Sequence, residues 1–148
     1  MKYSQAKIGR VFVLRLEDGD VLHDEIERFC REQSVRAAAL VVIGGADKGS
    51  QLVVGPESGD RSPIVTMVET LDAVHEVAGA GTVFWDTEED APATHIHVAA
   101  GRGATTRTGC VRQGVRVWQT MEIVLWELVD STATRVLDAR LGFKLLKP

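Results

Sequence analysis

His95 and His97 lie two residues apart in the stretch 94–110, THIHVAAGRGATTRTGC. In a β-strand that spacing turns both imidazoles to one face. The run 93–100 is apolar apart from Thr94 and the two histidines, and Gly101-Arg102-Gly103 closes it. A strand carrying His-x-His, then a Gly-rich loop, then a thiol at Cys110 brings three donors together if the loop folds the second strand back beside the first. Two imidazoles and a thiolate suit Zn²⁺, and they leave a fourth position for water, substrate or one more side chain. Each piece alone has a plainer meaning. Two histidines on one strand face can be surface polar groups, and a lone cysteine is more often a small buried hydrophobe.

Other reactive groups are close in sequence. His75 and Glu76 precede the His-x-His strand by one hairpin, whose acidic loop is 85–92, WDTEEDAP. Such a hairpin can carry His75 to the site as a further ligand. It can also let Glu76 orient a ligand imidazole or act as general acid or base. Both residues equally suit plain strand-end positions. Arg102, Arg107, Arg112 and Arg116 fall within fifteen residues of one another. Guanidinium groups hold a carboxylate or phosphate through paired hydrogen bonds. Arg102, Arg107 and Arg112 are therefore candidates for holding a small anionic ligand, with a solvated loop as the alternative.

The elements that must position these groups can be read in chain order. Residues 1–9 read as a polar lead-in, and 10–16, RVFVLRL, as a first strand. Asp20 or Gly19 is placed to cap a helix running to about Gln33. In it Leu22, Ile26, Phe29 and Cys30 make one apolar stripe. His23 falls in its first turn as a solvated residue. The run 37–43, AAALVVI, predicts a buried strand that ends at Gly44-Gly45. Strands over 48–54 and 64–71 flank a loop at 56–63, PESGDRSP. Gly79, Ala80 and Gly81 predict a strand that bends or admits another backbone closely. After Cys110, residues 114–118 read as short and irregular. The run 120–129, TMEIVLWELV, alternates as a strand, and 134–137 and 141–146 as closing strands. One early helix followed by many strands predicts an α+β domain with a mainly antiparallel sheet.

A chain of 148 residues with 45% hydrophobic residues fits one domain with a full core. Cys30 and Cys110 form no CxxC pair, which points to reduced thiols and a cytoplasmic protein. The opening MKYSQAKIGRVF has no signal-like pattern, and no apolar run approaches a membrane span. A net charge of −4 argues against a large nucleic-acid footprint.

Taken together, the segments GRVFVLRLEDGDVLHDEIERFC, AALVVIGGADKGSQL, HEVAGAGTVF, THIHVAAGRGATTRTGCV and EIVLWEL resemble, in that order, the plants-and-prokaryotes conserved (PPC) domain family. The resemblance covers roughly residues 9–146. It implies an α+β fold similar to that of acetolactate decarboxylases, and assembly as a homotrimer. It implies a metal such as zinc on the His-x-His strand and a third residue, commonly histidine in a Gly-Gly-His context. Cys110 of Thr108-Gly109-Cys110 stands at that third position here. Bacterial and archaeal members are often labelled as DNA-binding. Plant members carry a separate AT-hook, of which Gly101-Arg102-Gly103 shares three letters without the flanking proline. Three functions therefore stand to be weighed. The favoured one is a zinc-binding domain of regulatory or assembly role. The others are a zinc-dependent, decarboxylase-like enzyme on a small anionic substrate, and a DNA-binding trimer.

Overall fold

The computed structural model describes residues 1–60 and 63–148. Of the loop expected at 56–63, Arg61 and Ser62 lie outside the described residues. The strands are β1 (Lys7–Glu17), β2 (Ala37–Ala46), β3 (Gln51–Pro56), β4 (Thr66–Thr70) and β5 (His75–Asp86). They continue as β6 (Ala91–Arg102), β7 (Thr105–Cys110), β8 (Val117–Val129), β9 (Thr134–Asp138) and β10 (Phe143–Lys147). One α-helix, α1 (Leu22–Glu32), lies between β1 and β2. The sheet runs β1-β8-β2-β5-β6-β7-β3-β4. All these pairings are antiparallel, so the α+β architecture expected from the sequence is the one observed. The β9–β10 hairpin joins it through a parallel bridge between Asp86 and Arg135.

Side-chain parity divides the sheet into two faces. Leu40 and Val42 of β2, Val77 and Val83 of β5, Ile96 and Val98 of β6, and Met121, Ile123 and Leu125 of β8 are all buried. The α1 stripe of Leu22, Ile26 and Cys30 packs into the same core. Each fully buried Leu or Ile stabilises this layer by about 1.5–3 kcal/mol. Glu27 ties the helix to β6, accepting hydrogen bonds from the Thr94 N–H at 2.9 Å and its hydroxyl at 2.8 Å. The opposite face keeps Val13, Val41, Ile43, His95 and His97 exposed. One cross-strand row on that face reads Val13, Val124, Val41, Ala80, His97, Cys110.

The glycines of β5 serve this arrangement. A Cβ at Gly81 would lie 2.6 Å from Ile96 Cγ1, and one at Gly79 would strike the His97 carbonyl oxygen. Their absence of side chain lets β6, with its histidines, lie close against β5.

Several boundaries differ from the sequence reading, each for a tertiary reason. The helix begins at Leu22, with Val21 at its N-cap and no side-chain cap. The Leu22 N–H instead donates to the Val115 carbonyl at 2.9 Å, and Asp20 accepts from the Glu17 N–H. Strand β1 starts at Lys7 within the expected lead-in, because it pairs with β8 as far as Val129. Strand β8 starts at Val117, before the expected Thr120. A bulge opposite Gly44 and Gly45, with Gln119 at φ +58°, absorbs the irregular residues. Within β8, Glu127 joins the buried row of Met121, Ile123 and Leu125. Arg10 neutralises it through contacts of 2.7 Å and 2.8 Å to its two oxygens.

Candidate metal centre

Strands β6 and β7 form the hairpin expected around the Gly101-Arg102-Gly103 turn, and its register sets His97 directly opposite Cys110. His95 lies on the same face of β6, two positions along. The Nε2 atoms of His95 and His97 are 3.1 Å apart. One ligand atom from each of His95, His97 and Cys110 lies within 4.8 Å of the other two. Gly109 makes room on the far side, since a Cβ there would lie 2.6 Å from the Val53 carbonyl oxygen. Strand β3 therefore runs against β7, with Val53 opposite Cys110.

The donor set fits a tetrahedral ion. Nitrogen ligands about 2.0–2.1 Å from zinc stand roughly 3.3 Å from each other at the tetrahedral angle, close to the observed imidazole separation. Desolvation pushes the His95 pKa down, reinforced by Arg135, His97 and Arg112. That favours the neutral imidazole, the form that ligates. Cys110 is 7% exposed and Cys30 is fully buried. Burial raises the Cys30 thiol to about 12, which keeps it protonated core, as its place on the apolar stripe implies.

The cluster forms the floor of a cavity of about 450 Å³. Val53, Val54, Phe143 and Leu145 supply apolar wall, while Arg112 and Arg135 supply cations. Sequence reading missed Arg135. It is only 7% exposed, and its Nη2 donates to Thr82 Oγ1 at 3.1 Å. Thr82 is the cross-strand neighbour of His95. The strand-like TRVLD gave no signal for it, since Leu137 at the same parity is exposed. Burial first, then the like charge of Arg112, pushes the Arg135 pKa down, partly opposed by Cys110.

The remaining candidates sit elsewhere. His75 does not reach the cluster as a ligand, because it shares the parity of Val77 and points into the core. It is 2% exposed, its Nδ1–H donates to the Ala73 carbonyl at 2.8 Å, and its Nε2 faces Arg107 Nη1 at 3.3 Å. Glu76 is on the correct face but opposite Gly101, whereas Ala80 is opposite His97. Four residues of strand, roughly 13 Å, separate the two levels. Glu76 thus neither orients a ligand imidazole nor reaches the floor of the cavity. Arg102 donates to the Val74 carbonyl at 2.9 Å. Arg107 pairs with Glu69 at 2.9 Å and approaches Asp72 at 3.8 Å. Of the three arginines expected at an anion site, only Arg112 lines this cavity. His23 lies on α1 beside Asp24.

The chain has relatives. Residues 3–129 match the sequence model of the Plants and Prokaryotes Conserved domain, and the chain belongs to that family. Among solved structures it is similar to a plant- and prokaryote-conserved protein of Pyrococcus horikoshii. The TM-score is 0.84 and the identity 22%, over 100% of this chain and 98% of that one. It is similar to a metal-containing protein of Archaeoglobus fulgidus, with TM-score 0.84 and 25% identity over the whole of both chains. A candidate DNA-binding protein of Ralstonia eutropha gives a TM-score of 0.71 and 20% identity over 92% of this chain and 90% of that one. The chain spans about a fifth of the length of the curated relatives it matches. It is 28% identical over 135 residues to bifunctional protein GlmU of Synechococcus sp. (strain JA-3-3Ab), covering 90% of this chain and 20% of that protein.

Proposed function

We propose that this protein is a zinc-binding domain whose metal is held by His95, His97 and Cys110 at the floor of the cavity. The observation that carries the reading is the convergence of two imidazoles and a nearly buried thiol on facing strands. The metal-containing relative from Archaeoglobus fulgidus supports it. Thiolate with imidazole favours zinc over hard cations. When bound, zinc supplies a Lewis acid beside the cavity. The chain's own residues hold it there, and the apolar wall limits the approach of water.

We propose further that the domain acts as a homotrimer, the state the family resemblance implies, in a regulatory or assembly role. The exposed Val13, Val41 and Ile43 share the histidines' face and favour cover by another copy. The enzyme reading is weakened by the distance of Glu76 from the cluster. The DNA reading is favoured by the Ralstonia eutropha relative and by a similar one from Bacteroides thetaiotaomicron. Against it stand the net charge of −4 and the engagement of Arg102 and Arg107 with their own chain.

The test is metal content by elemental analysis on wild type, His97→Ala and Cys110→Ser, with sizing on the same samples and a duplex-DNA titration at low salt. The expected result is about one zinc per chain in wild type, lost in both variants, in a trimer that does not bind DNA. Wild type without metal after growth in added zinc would overturn the metal reading. Salt-sensitive duplex binding would restore the DNA reading.

A further inference from the structure

Two cations at the cavity lack a counter-ion. Arg135 is 7% exposed, yet its one side-chain hydrogen bond goes to the neutral hydroxyl of Thr82. Among the described residues no carboxylate lies within ion-pair distance of Arg135 or of Arg112. The third cation on the wall, Lys144, differs, because Asp86 and Glu89 both pair with it. A guanidinium stays charged at every physiological pH, and buried charges are ordinarily paired. Arg135 is held against Thr82 and lies over the Phe84 ring at 5.9 Å, and its other nitrogens have no hydrogen-bond partner among the described residues, which leaves donors for an anion.

The shape of the cavity narrows the class. Thr82 occupies one end of the Arg135 fork, and the rest presents planar N–H donors suited to two oxygens in a plane. The cavity also has an apolar wall, from Val53 and Val54 of β3 and from Phe143 and Leu145 of β10, the strand paired with Arg135's own β9. A volume of about 450 Å³ lies in the range of small-molecule sites. A bare inorganic anion would leave that wall against water.

We infer that the cavity binds a small monocarboxylic acid with an aliphatic or aromatic tail, its carboxylate on Arg135 and Arg112 and its tail against Val53, Phe143 and Leu145. The inference rests on the metal reading in one respect, that the His/His/Cys cluster is the floor against which the ligand sits. The arginine pair itself needs no metal.

The experiment is calorimetric titration with 4-methylpentanoate, its neutral amide, acetate and inorganic phosphate. It uses wild type as purified, metal-stripped wild type, Arg112→Gln and Arg135→Gln, with zinc measured on every sample. As-purified wild type is expected to bind 4-methylpentanoate at least about tenfold tighter than the amide, acetate or phosphate. Arg112→Gln is expected to lose about tenfold in affinity and Arg135→Gln more, while both keep the zinc content of wild type. Arg112 is exposed, so its variant carries the test even if Arg135→Gln fails to fold. Equal binding of acid and amide, tighter binding of phosphate, or wild-type affinity in Arg112→Gln would overturn the inference. As-purified wild type that carries no zinc after growth in added zinc, yet binds the acid through both arginines, would sink the metal reading while upholding this one. Zinc-loaded wild type that ignores the acid would do the reverse.

Discussion

The β5–β6–β7 region carries a cluster of ionisable groups at each end, and the two clusters differ in one respect. At the Gly101 end three groups, His75, Arg107 and Arg102, have partners within the chain. His75 is held by Ala73 and Arg107, Arg107 by Glu69, and Arg102 by the Val74 carbonyl. At the His97 end, among the described residues, the cations have no carboxylate partner. Arg112 and Arg135 face a cavity without a carboxylate, and two imidazoles and a thiol point at one another. Satisfied polar groups stabilise a fold. Groups that a fold holds together and leaves unsatisfied mark the place where something else binds.

The contrast predicts opposite responses to substitution. The largest effect belongs to His97→Ala. Zinc affinity, measured by competition with a chromophoric chelator, should fall by at least about a hundredfold, beyond the ~10–100-fold that follows loss of an outer-shell partner. Next is His75→Ala, which empties a buried site and strands the Arg107 and Ala73 groups. Urea denaturation should show a loss of about 2–3 kcal/mol with zinc content unchanged. Zinc loss in this variant would erase the distinction between the two ends.

Acid provides a gentler test remote from both clusters. Hydrogen bonding to Arg10 lowers the Glu127 pKa, outweighing its desolvation. A carboxylate with a depressed folded pKa contributes stability above its unfolded value of about 4.3, and that stability is lost as pH falls through the folded pKa. Wild type should therefore lose stability on acidification below about pH 5, and Glu127→Gln should flatten that part of the profile. An identical slope in both proteins would show that the ion pair does not form in solution. The smallest effect belongs to Arg102→Ala, whose side chain is exposed at the end of β6. Its stability should stay within about 0.5 kcal/mol of wild type and its zinc content should not change.

Strand parity made much of this legible in advance. The spacing of His95 and His97, with a Gly-rich turn before Cys110, was enough to place three donors on one face of a hairpin. The same rule, applied to β5, separates His75 from the site, since His75 alternates with Val77 and Val83 on the core side. Arg107 and Cys110 are three apart on one strand, so they face opposite ways. Clustering in sequence hid that difference for the arginines. Two features were beyond local pattern. The register of β5 against β6, which leaves Glu76 opposite Gly101, is set by the turn at residues 87–90. Arg135 reaches the cavity through the parallel bridge of β9 to Asp86, a long-range contact that no motif announces. The helix start was misread for a related reason, because the Val115 carbonyl takes the place of a side-chain cap.

The ligand set itself can be read by cobalt substitution. Co²⁺ in a site built from His95, His97 and Cys110 should give the intense visible bands of tetrahedral coordination together with a sulfur-to-cobalt charge-transfer band. Cys110→Ser should lose the charge-transfer band, and His75→Gln should leave the whole spectrum unchanged. A weak octahedral spectrum in wild type, or a charge-transfer band that survives in Cys110→Ser, would contradict the assignment of the metal to this end of the sheet.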